Sequence, residues 1–128
     1  MKLNPDCVRD ILLTLEETTS YQSILSFEEN TLPNLPRLTD YTLEEVLYHL
    51  QKCDEAGFLC GVRYFPVSVI VEGLHYRGHE FLNDVRENKI WAGIKSVANT
   101  IGTNSLQGLT QIAAATITSL IKAQFGLA

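Results

Sequence analysis

The fold is decided by residues 41–58, which read YTLEEVLYHLQKCDEAGF in the 128-residue sequence. Thr42 and Glu45 have the spacing of a capping box, in which each side chain accepts a hydrogen bond from the other residue's backbone N–H at the start of a helix. Gly57 stands where a helix commonly ends in a left-handed residue. The stretch therefore predicts a capped helix that leads directly into a strand at Phe58.

Apolar residues recur along this helix at the spacing of one helical face, which predicts the side that packs into the core. The remaining positions carry four acids against a single base, so the exposed side of the helix is acidic. The predicted core positions are Leu43, Val46, Leu47, Leu50 and Cys53.

Upstream of this stretch, Asn4 and Pro5 are typical of the first residues of a helix. An apolar stripe follows them, and it ends near Thr18. Residues 21–27 have the aromatic and β-branched content of a short strand. Residues 28–40 contain two prolines and are predicted to form a loop.

Downstream, strands at residues 58–64 and 67–74 on either side of a turn at Phe65-Pro66 predict a β-hairpin. Two helices are predicted after it, one ending at Gly102 with a break near Asn88 and one starting at Asn104 or Ser105. The apolar stripe of the first of these helices continues through Trp91, Ile94, Val97, Ala98 and Ile101.

The predicted elements follow the order helix, strand, helix, hairpin, helix, which is the order of a winged-helix domain. We therefore predict an α+β, helix-rich fold. Residues 1–96 would form a winged helix-turn-helix-like domain, and residues 97–128 a C-terminal apolar helical extension. In this arrangement the helix before the hairpin takes the recognition-helix position, and the hairpin is the wing.

Three blocks of sequence resemble a known family. They read MKLNPDCVRDILL (residues 1–13), YTLEEVLYHL with EAGF (residues 41–50 and 55–58) and GHEFLNDVR (residues 78–86). In this order, and with Trp91 just after the third block, they resemble the family named domain of unknown function 2513. The resemblance implies a small bacterial or prophage-encoded protein and no assigned activity. One departure is Leu74-His75, where the family pattern has a Leu-Thr pair whose threonine caps the next helix.

The charge of the chain is uneven along its length. Of a net charge of −5, residues 1–60 contribute eleven acids and four bases, whereas residues 61–128 contribute four acids and six bases. Nucleic-acid affinity comes from Lys and Arg that meet phosphates, and the recognition-position helix offers the opposite charge. We therefore favour a protein partner, and the alternative is a DNA-binding regulator that contacts DNA mainly through the hairpin. The candidate contacts for either are Arg63, Arg77, Tyr48 and Lys52.

The last segment is uncharged from residue 105 to residue 121. Its broad apolar face requires burial, either by folding back on the chain or by pairing with a second copy, and we favour a homo-oligomer. Glutamines, threonines and a serine dilute the run, so no transmembrane segment is predicted. The predicted oligomerisation residues are Leu106, Leu109, Ile112, Ala113, Ile117, Leu120 and Ile121.

Catalytic and cofactor motifs are not predicted from the sequence. The histidines and cysteines that a zinc ion would need are His49, Cys53, Cys60, His75 and His79, but their spacing matches no standard zinc pattern. No glycine-rich phosphate loop or activated nucleophile is indicated. We expect a non-enzymatic protein without cofactor or metal. Because no signal peptide is indicated, we also expect it to be cytoplasmic with three reduced thiols.

Overall fold

The structure is a computed structural model that describes residues 1–126. They form two compact units, one from Met1 to His79 and one that begins at Glu80. The helices are α1 (Pro5–Thr18), α2 (Leu43–Glu55), α3 (Tyr76–Val85), α4 (Asn88–Ile101) and α5 (Leu106–Gln124). The strands are β1 (Leu25–Phe27), β2 (Leu59–Cys60), β3 (Arg63–Phe65), β4 (Ser68–Val71) and β5 (Gly73–Leu74). These elements confirm the predicted α+β, helix-rich class.

The first two helices begin at the caps that the sequence predicts. Oδ1 of Asn4 accepts a 3.0 Å hydrogen bond from the backbone N–H of Asp6. Thr42 and Glu45 form both bonds of the capping box, each 3.1 Å long. Gly57 follows α2 with a φ of +80°, a value that favours glycine. Local side-chain chemistry therefore fixes both ends of α2.

The region predicted as a loop is held against α1. It contains two short 3-10 turns, Leu32–Asn34 and Pro36–Leu38, and their leucines are buried. Arg37 donates a 2.7 Å hydrogen bond from Nε to Oε1 of Glu17 on α1. Tyr21, which the sequence places in a strand, is fully exposed in a turn before β1. The strand is therefore shorter than predicted.

The strands are all antiparallel. β4 lies between β1 and β3 in a three-stranded sheet, and β2 pairs with β5. Phe65 faces Ser68, so the hairpin turns at residues 66–67. The predicted turn at Phe65-Pro66 was therefore wrong by one residue.

The two predicted hairpin strands are each interrupted once, near Gly61. Gly61 has a φ of +58°, and a Cβ there would lie 1.6 Å from Oε2 of Glu72. The pairing nevertheless keeps one register, because Cys60 faces Gly73 before the interruption and Arg63 faces Ile70 after it. The two arms of the hairpin thus keep one pairing register, with a short unpaired stretch near Gly61.

The core of the first unit lies between α1, α2 and the strands. α1 contacts α2 and β5, and α2 contacts β1, β2 and β4. The predicted core residues Val46, Leu50 and Cys53 of α2 are fully buried. Leu43 and Leu47 are half-buried at the border of this inward face. They lie on the side of α2 that borders the hairpin.

In the second unit, α4 and α5 form a helical hairpin. Gly102 ends α4 with a φ of +77°, and the hydroxyl of Ser105 caps α5. Because so short a link joins two helices in contact, they run antiparallel. α5 has 19 residues and α4 has 14, so at 1.5 Å per residue α5 is about 7.5 Å longer than its partner. The predicted domain boundary at residues 96 and 97 falls within α4 and stays a prediction.

The buried face of this helical hairpin is narrower than the sequence indicates. Trp91, Ile94 and Ala98 are buried as predicted. Val97 and Ile101 belong to the same predicted stripe but are 46% and 64% exposed. The apolar stripe of α4 is thus wider than the face that is covered within residues 1–126.

Candidate interaction surfaces

An open groove of about 720 Å³ separates α2 from the tip of the hairpin. We call it the α2–hairpin groove. Its α2 side is built from positions four residues apart, Leu43, Leu47 and Gln51, with Glu44 and Tyr48 beside them. These positions lie next to the buried face of α2, so the helix packs one side into the core and turns a second, partly apolar side towards the groove.

The opposite side of the groove is the hairpin tip. Tyr64 and Phe65 are each 50% exposed, and Val67 is 71% exposed. Pro66 lies between them at the turn and also lines the groove. A concentration of exposed apolar side chains beside a concave surface is typical of an interaction site.

The two sides of the groove are joined by a hydrogen bond. The hydroxyl of Tyr64 donates to Oδ2 of Asp54 near the end of α2, at 2.5 Å. Burial raises the pKa of Tyr64, and the hydrogen bond to Asp54 raises it further. At neutral pH the hydroxyl therefore keeps its proton, and the hairpin stays attached to α2.

A similar hydrogen bond joins the start of α2 to α1. The hydroxyl of Tyr41, just before the helix, donates to Oδ2 of Asp10 on α1 at 2.7 Å. Burial is the main cause that raises the pKa of Tyr41, followed by the bond to Asp10. α2 is thus fastened to α1 at its start and to the hairpin at its end, which fixes the geometry of the groove.

The charged side chain of the groove is a carboxylate. Among the lining residues within the described part of the chain, Glu44 has the single charged side chain, and Met1, which bears the N-terminal ammonium group, also lines the groove. Glu44 forms no ion pair over residues 1–126. Residues 1–79 as a whole hold twelve acids and six bases. The groove therefore offers an apolar surface with an available carboxylate.

The four contact residues predicted from the sequence are not brought together. Tyr48 lines the groove. Nζ of Lys52 lies 5.3 Å from the centre of the Tyr48 ring and forms a 3.1 Å ion pair with Glu55. Arg63 is exposed on β3. Arg77 lies against Gly57, where a Cβ would be 3.6 Å from its Cδ. Tyr48 and Lys52 are neighbours, whereas Arg63 and Arg77 do not line the groove.

The predicted oligomerisation residues of α5 fall into three groups. Leu109 and Ala113 are fully buried within the chain, while Leu106, Ile112 and Ile117 are half-buried. Leu120 and Ile121 are 45% and 52% exposed, and Phe125 beyond them is 75% exposed. The large exposed apolar side chains of α5 are therefore concentrated at its C-terminal end.

The rings of His49 and His75 form hydrogen bonds with the backbone. Nε2 of His49 accepts a 2.8 Å hydrogen bond from the backbone N–H of Asn4, and Nδ1 lies 2.7 Å from the carbonyl oxygen of Glu45. His75 accepts a hydrogen bond from the N–H of Arg77 at 3.1 Å, so it caps α3 although the sequence suggested a weakened cap. In residues 1–126 no three His, Cys, Asp or Glu side chains are grouped closely enough to hold a metal ion.

The buried thiols of Cys7 and Cys53 have raised pKa values. Burial raises the pKa of Cys7 to about 12, and the charges of Glu45 and Asp10 add to the increase. Burial also raises the pKa of Cys53. All three cysteines are free of disulfide bonds. Cys7 and Cys53 therefore stay protonated at neutral pH and act as small apolar core residues.

Sequence reasoning missed the hairpin tip and Glu44 as parts of one surface. The available signal was the uninterrupted run of aromatic and apolar residues at 64–67, because a turn at the protein surface is usually polar. Leu43 and Leu47 gave a second signal, since they broaden the apolar face of α2 beyond what one core requires.

Over residues 1–126, no helix is both long enough and apolar enough to span a lipid bilayer.

These features define a small α+β protein with an acidic first unit and an apolar groove. The chain belongs to the family described as hypothetical protein (DUF2513), whose model matches residues 2–104. An uncharacterized protein of Haemophilus influenzae (strain ATCC 51907 / DSM 11121 / KW20 / Rd) is 29% identical over 125 residues, which cover 94% of this chain and 99% of the relative. That coverage includes part of α5, which lies beyond the family match. No solved structure matches the chain.

Proposed function

We propose that this protein is a non-enzymatic, cytoplasmic winged-helix-like protein that acts through protein–protein contacts and oligomerises through α5. The family resemblance implies a prophage or mobile-element origin. The winged-helix assignment follows from the order of the elements and from the position of α2 immediately before the hairpin.

The observation that carries this proposal is the exposed side of α2. In a DNA-binding winged helix this side would enter the major groove and meet phosphates. Here it presents Leu47, Tyr48 and Glu44, which forms no ion pair within residues 1–126. Apolar and acidic side chains favour a protein surface over a polyanion.

Self-association through α5 is supported by its exposed end. Leu120, Ile121 and Phe125 are large apolar side chains that stay exposed within residues 1–126. Lys122 is the single charge within α5, so two such helices can approach without the cost of removing many charges from water. A second copy is therefore a suitable cover for this end.

The test is a pair of double variants measured by light scattering at several concentrations. We expect the wild-type protein to exceed the 14.3 kDa of one chain. Changing Leu120→Glu with Ile121→Glu should reduce it to a monomer, because charges would have to be buried at the interface. The control is Thr118→Glu with Ser119→Glu, which adds the same charge at exposed positions of α5 and should leave the mass unchanged. A monomeric wild-type protein would contradict self-association.

The alternative function is DNA binding through the hairpin. One observation favours it, because Arg63 is exposed on β3 and forms no ion pair within the described residues. If this function holds, a gel shift with random duplex DNA should appear at low salt and weaken steeply as salt increases. It should also weaken when Arg63 is changed to Ala. The absence of a shift at low salt would exclude this alternative.

A further inference from the structure

We infer that the α2–hairpin groove binds a short segment of a partner protein that carries apolar side chains and at least one Lys or Arg. This inference rests on the proposed function, because it assumes that the protein acts through protein–protein contacts. It adds the surface that makes the contact and the chemistry of the partner. It is independent of self-association through α5.

The dimensions of the groove fit a short peptide segment. The α2 side extends from Leu43 to Gln51, which at 1.5 Å per residue is about 12 Å. This length matches about two turns of helix or four residues of extended chain. A small-molecule site usually buries most of its ligand in a concave pocket, whereas here Phe65 and Val67 remain at least half exposed. A segment that packs against both sides covers this surface better.

The side chains of the groove are of the kind that anchor protein contacts. Tyrosine and phenylalanine supply a large contact area with few rotatable bonds, and aromatic residues are enriched at the energetic centres of interfaces. Tyr48 from α2 and Tyr64 and Phe65 from the hairpin face one groove. Tyr64 is already fixed by its bond to Asp54, so little ordering is needed on binding.

The charge decides which segment fits. Glu44 has the single charged side chain among the described lining residues, and it forms no ion pair over residues 1–126, although Met1 with its N-terminal ammonium group also lines the groove. The six-charge excess of acids in residues 1–79 gives the surroundings the same sign. A Lys or Arg of the partner would therefore be attracted to this side, whereas an acidic segment or a nucleic acid would be repelled.

The experiment uses the full-length protein and a display library of random 12-residue peptides. We expect the selected peptides to combine at least two large apolar residues with a Lys or Arg. A labelled synthetic copy of the most enriched peptide is then titrated by fluorescence anisotropy. Phe65→Ser and Val67→Ser change exposed residues and should leave the fold intact, and each should weaken binding at least about tenfold if it removes an anchor.

Two further variants test the charge and the location. Glu44→Gln should weaken binding about two- to fivefold at low salt, as for an exposed ion pair, and should reduce its salt dependence. The control is Tyr21→Ser, a fully exposed tyrosine outside the groove, which should bind as the wild type does. Enrichment of acidic peptides, or binding that is unaffected by Phe65→Ser and Val67→Ser, would overturn the inference.

The remaining outcomes identify other occupants. If random duplex DNA displaces the peptide, or if the peptide dissociates a wild-type oligomer, the groove holds DNA or a second copy and the inference is wrong. The Leu120→Glu, Ile121→Glu variant separates the two proposals. Undiminished peptide binding by this variant supports the groove inference whether or not the wild-type protein oligomerises, and loss of binding would overturn it.

Discussion

Tyr64 and Asp54 are joined by a 2.5 Å hydrogen bond between the hairpin and the end of α2. Among the described residues, strand β3 otherwise pairs with β4 alone, at the edge of its sheet. The bond therefore fixes the distance between the hairpin tip and the helix, and with it the width of the α2–hairpin groove.

Changing Tyr64 to Phe should lower the free energy of unfolding by about 0.5–1.5 kcal/mol, because one hydrogen bond is lost and the ring is kept. Amide hydrogen exchange in β3 should also become faster as the hairpin tip opens. The comparison is Tyr21→Phe at a fully exposed position, measured by urea denaturation. Equal stability of the two variants would show that the bond does not restrain the hairpin.

Changing Gly78 to Ala should destabilise the protein by about 1–3 kcal/mol, the usual range for overpacking. A Cβ at Gly78 would lie 2.3 Å from the backbone oxygen of Phe58, which is a poorly adjustable neighbour. Gly93→Ala is the matched control, because nothing lies within 4 Å of its Cβ position on α4. That change should instead stabilise by up to about 1 kcal/mol. Thermal denaturation of both variants measures the difference. A Gly78→Ala protein as stable as the wild type would contradict the close contact between residue 78 and the backbone oxygen of Phe58.

Changing His49 to Ala should cost roughly 2–4 kcal/mol, through a buried cavity and an unpaired N–H of Asn4. The Asn4 N–H donates to Nε2, so the ring proton lies on Nδ1 and is donated to the Glu45 carbonyl. The imidazole thus joins the start of α1 to α2. His79→Ala changes an exposed histidine of α3 and should alter stability by less than about 0.5 kcal/mol. Urea midpoints that are the same for both variants would refute this role of His49.

Stability should fall as the pH rises above about 9. The pKa of Cys7 is 9.0 in an unfolded chain and about 12 in the fold, so the folded state retains a proton that the unfolded state loses. The contribution of Cys7 is complete below pH 9 and disappears progressively towards pH 12. Urea midpoints between pH 8.5 and 10 test this, although Cys53, Tyr41 and Tyr64 contribute to the same decrease because the fold also raises their pKa values. Cys7→Ala should show a shallower decrease than the wild type. An unchanged slope would exclude Cys7 as a cause.

Much of the fold could be predicted because it depends on local chemistry. The caps at Asn4 and Thr42 and the glycines after α2 and α4 need only neighbouring residues. The core residues of α1 and α2 follow from helical periodicity. The hairpin itself was also predicted, since its β-branched and aromatic residues lie on either side of a proline.

The remaining features depend on contacts between distant residues. The turn was misplaced because Pro66 and Val67 lack the Asn-Gly or Asp-Gly signal of common two-residue turns. Tyr64 and Asp54 are ten residues apart, and no periodicity relates them. The groove could not be predicted because Leu43 and Leu47 have the spacing of a core face, and the hairpin residues opposite them are distant in sequence. Whether a helix position faces the core or a groove is decided by the hairpin that packs beside it.

The single register of the hairpin across the gap at Gly61 limits how this region can vary during evolution. Cys60 faces Gly73 and Arg63 faces Ile70 in one continuous count. Inserting one residue in either arm alone would turn every later side chain of that arm to the opposite face. An insertion between Cys60 and Tyr64 would in this way turn Tyr64 away from Asp54. Relatives that keep the groove should therefore lengthen or shorten both arms together, by the same number of residues.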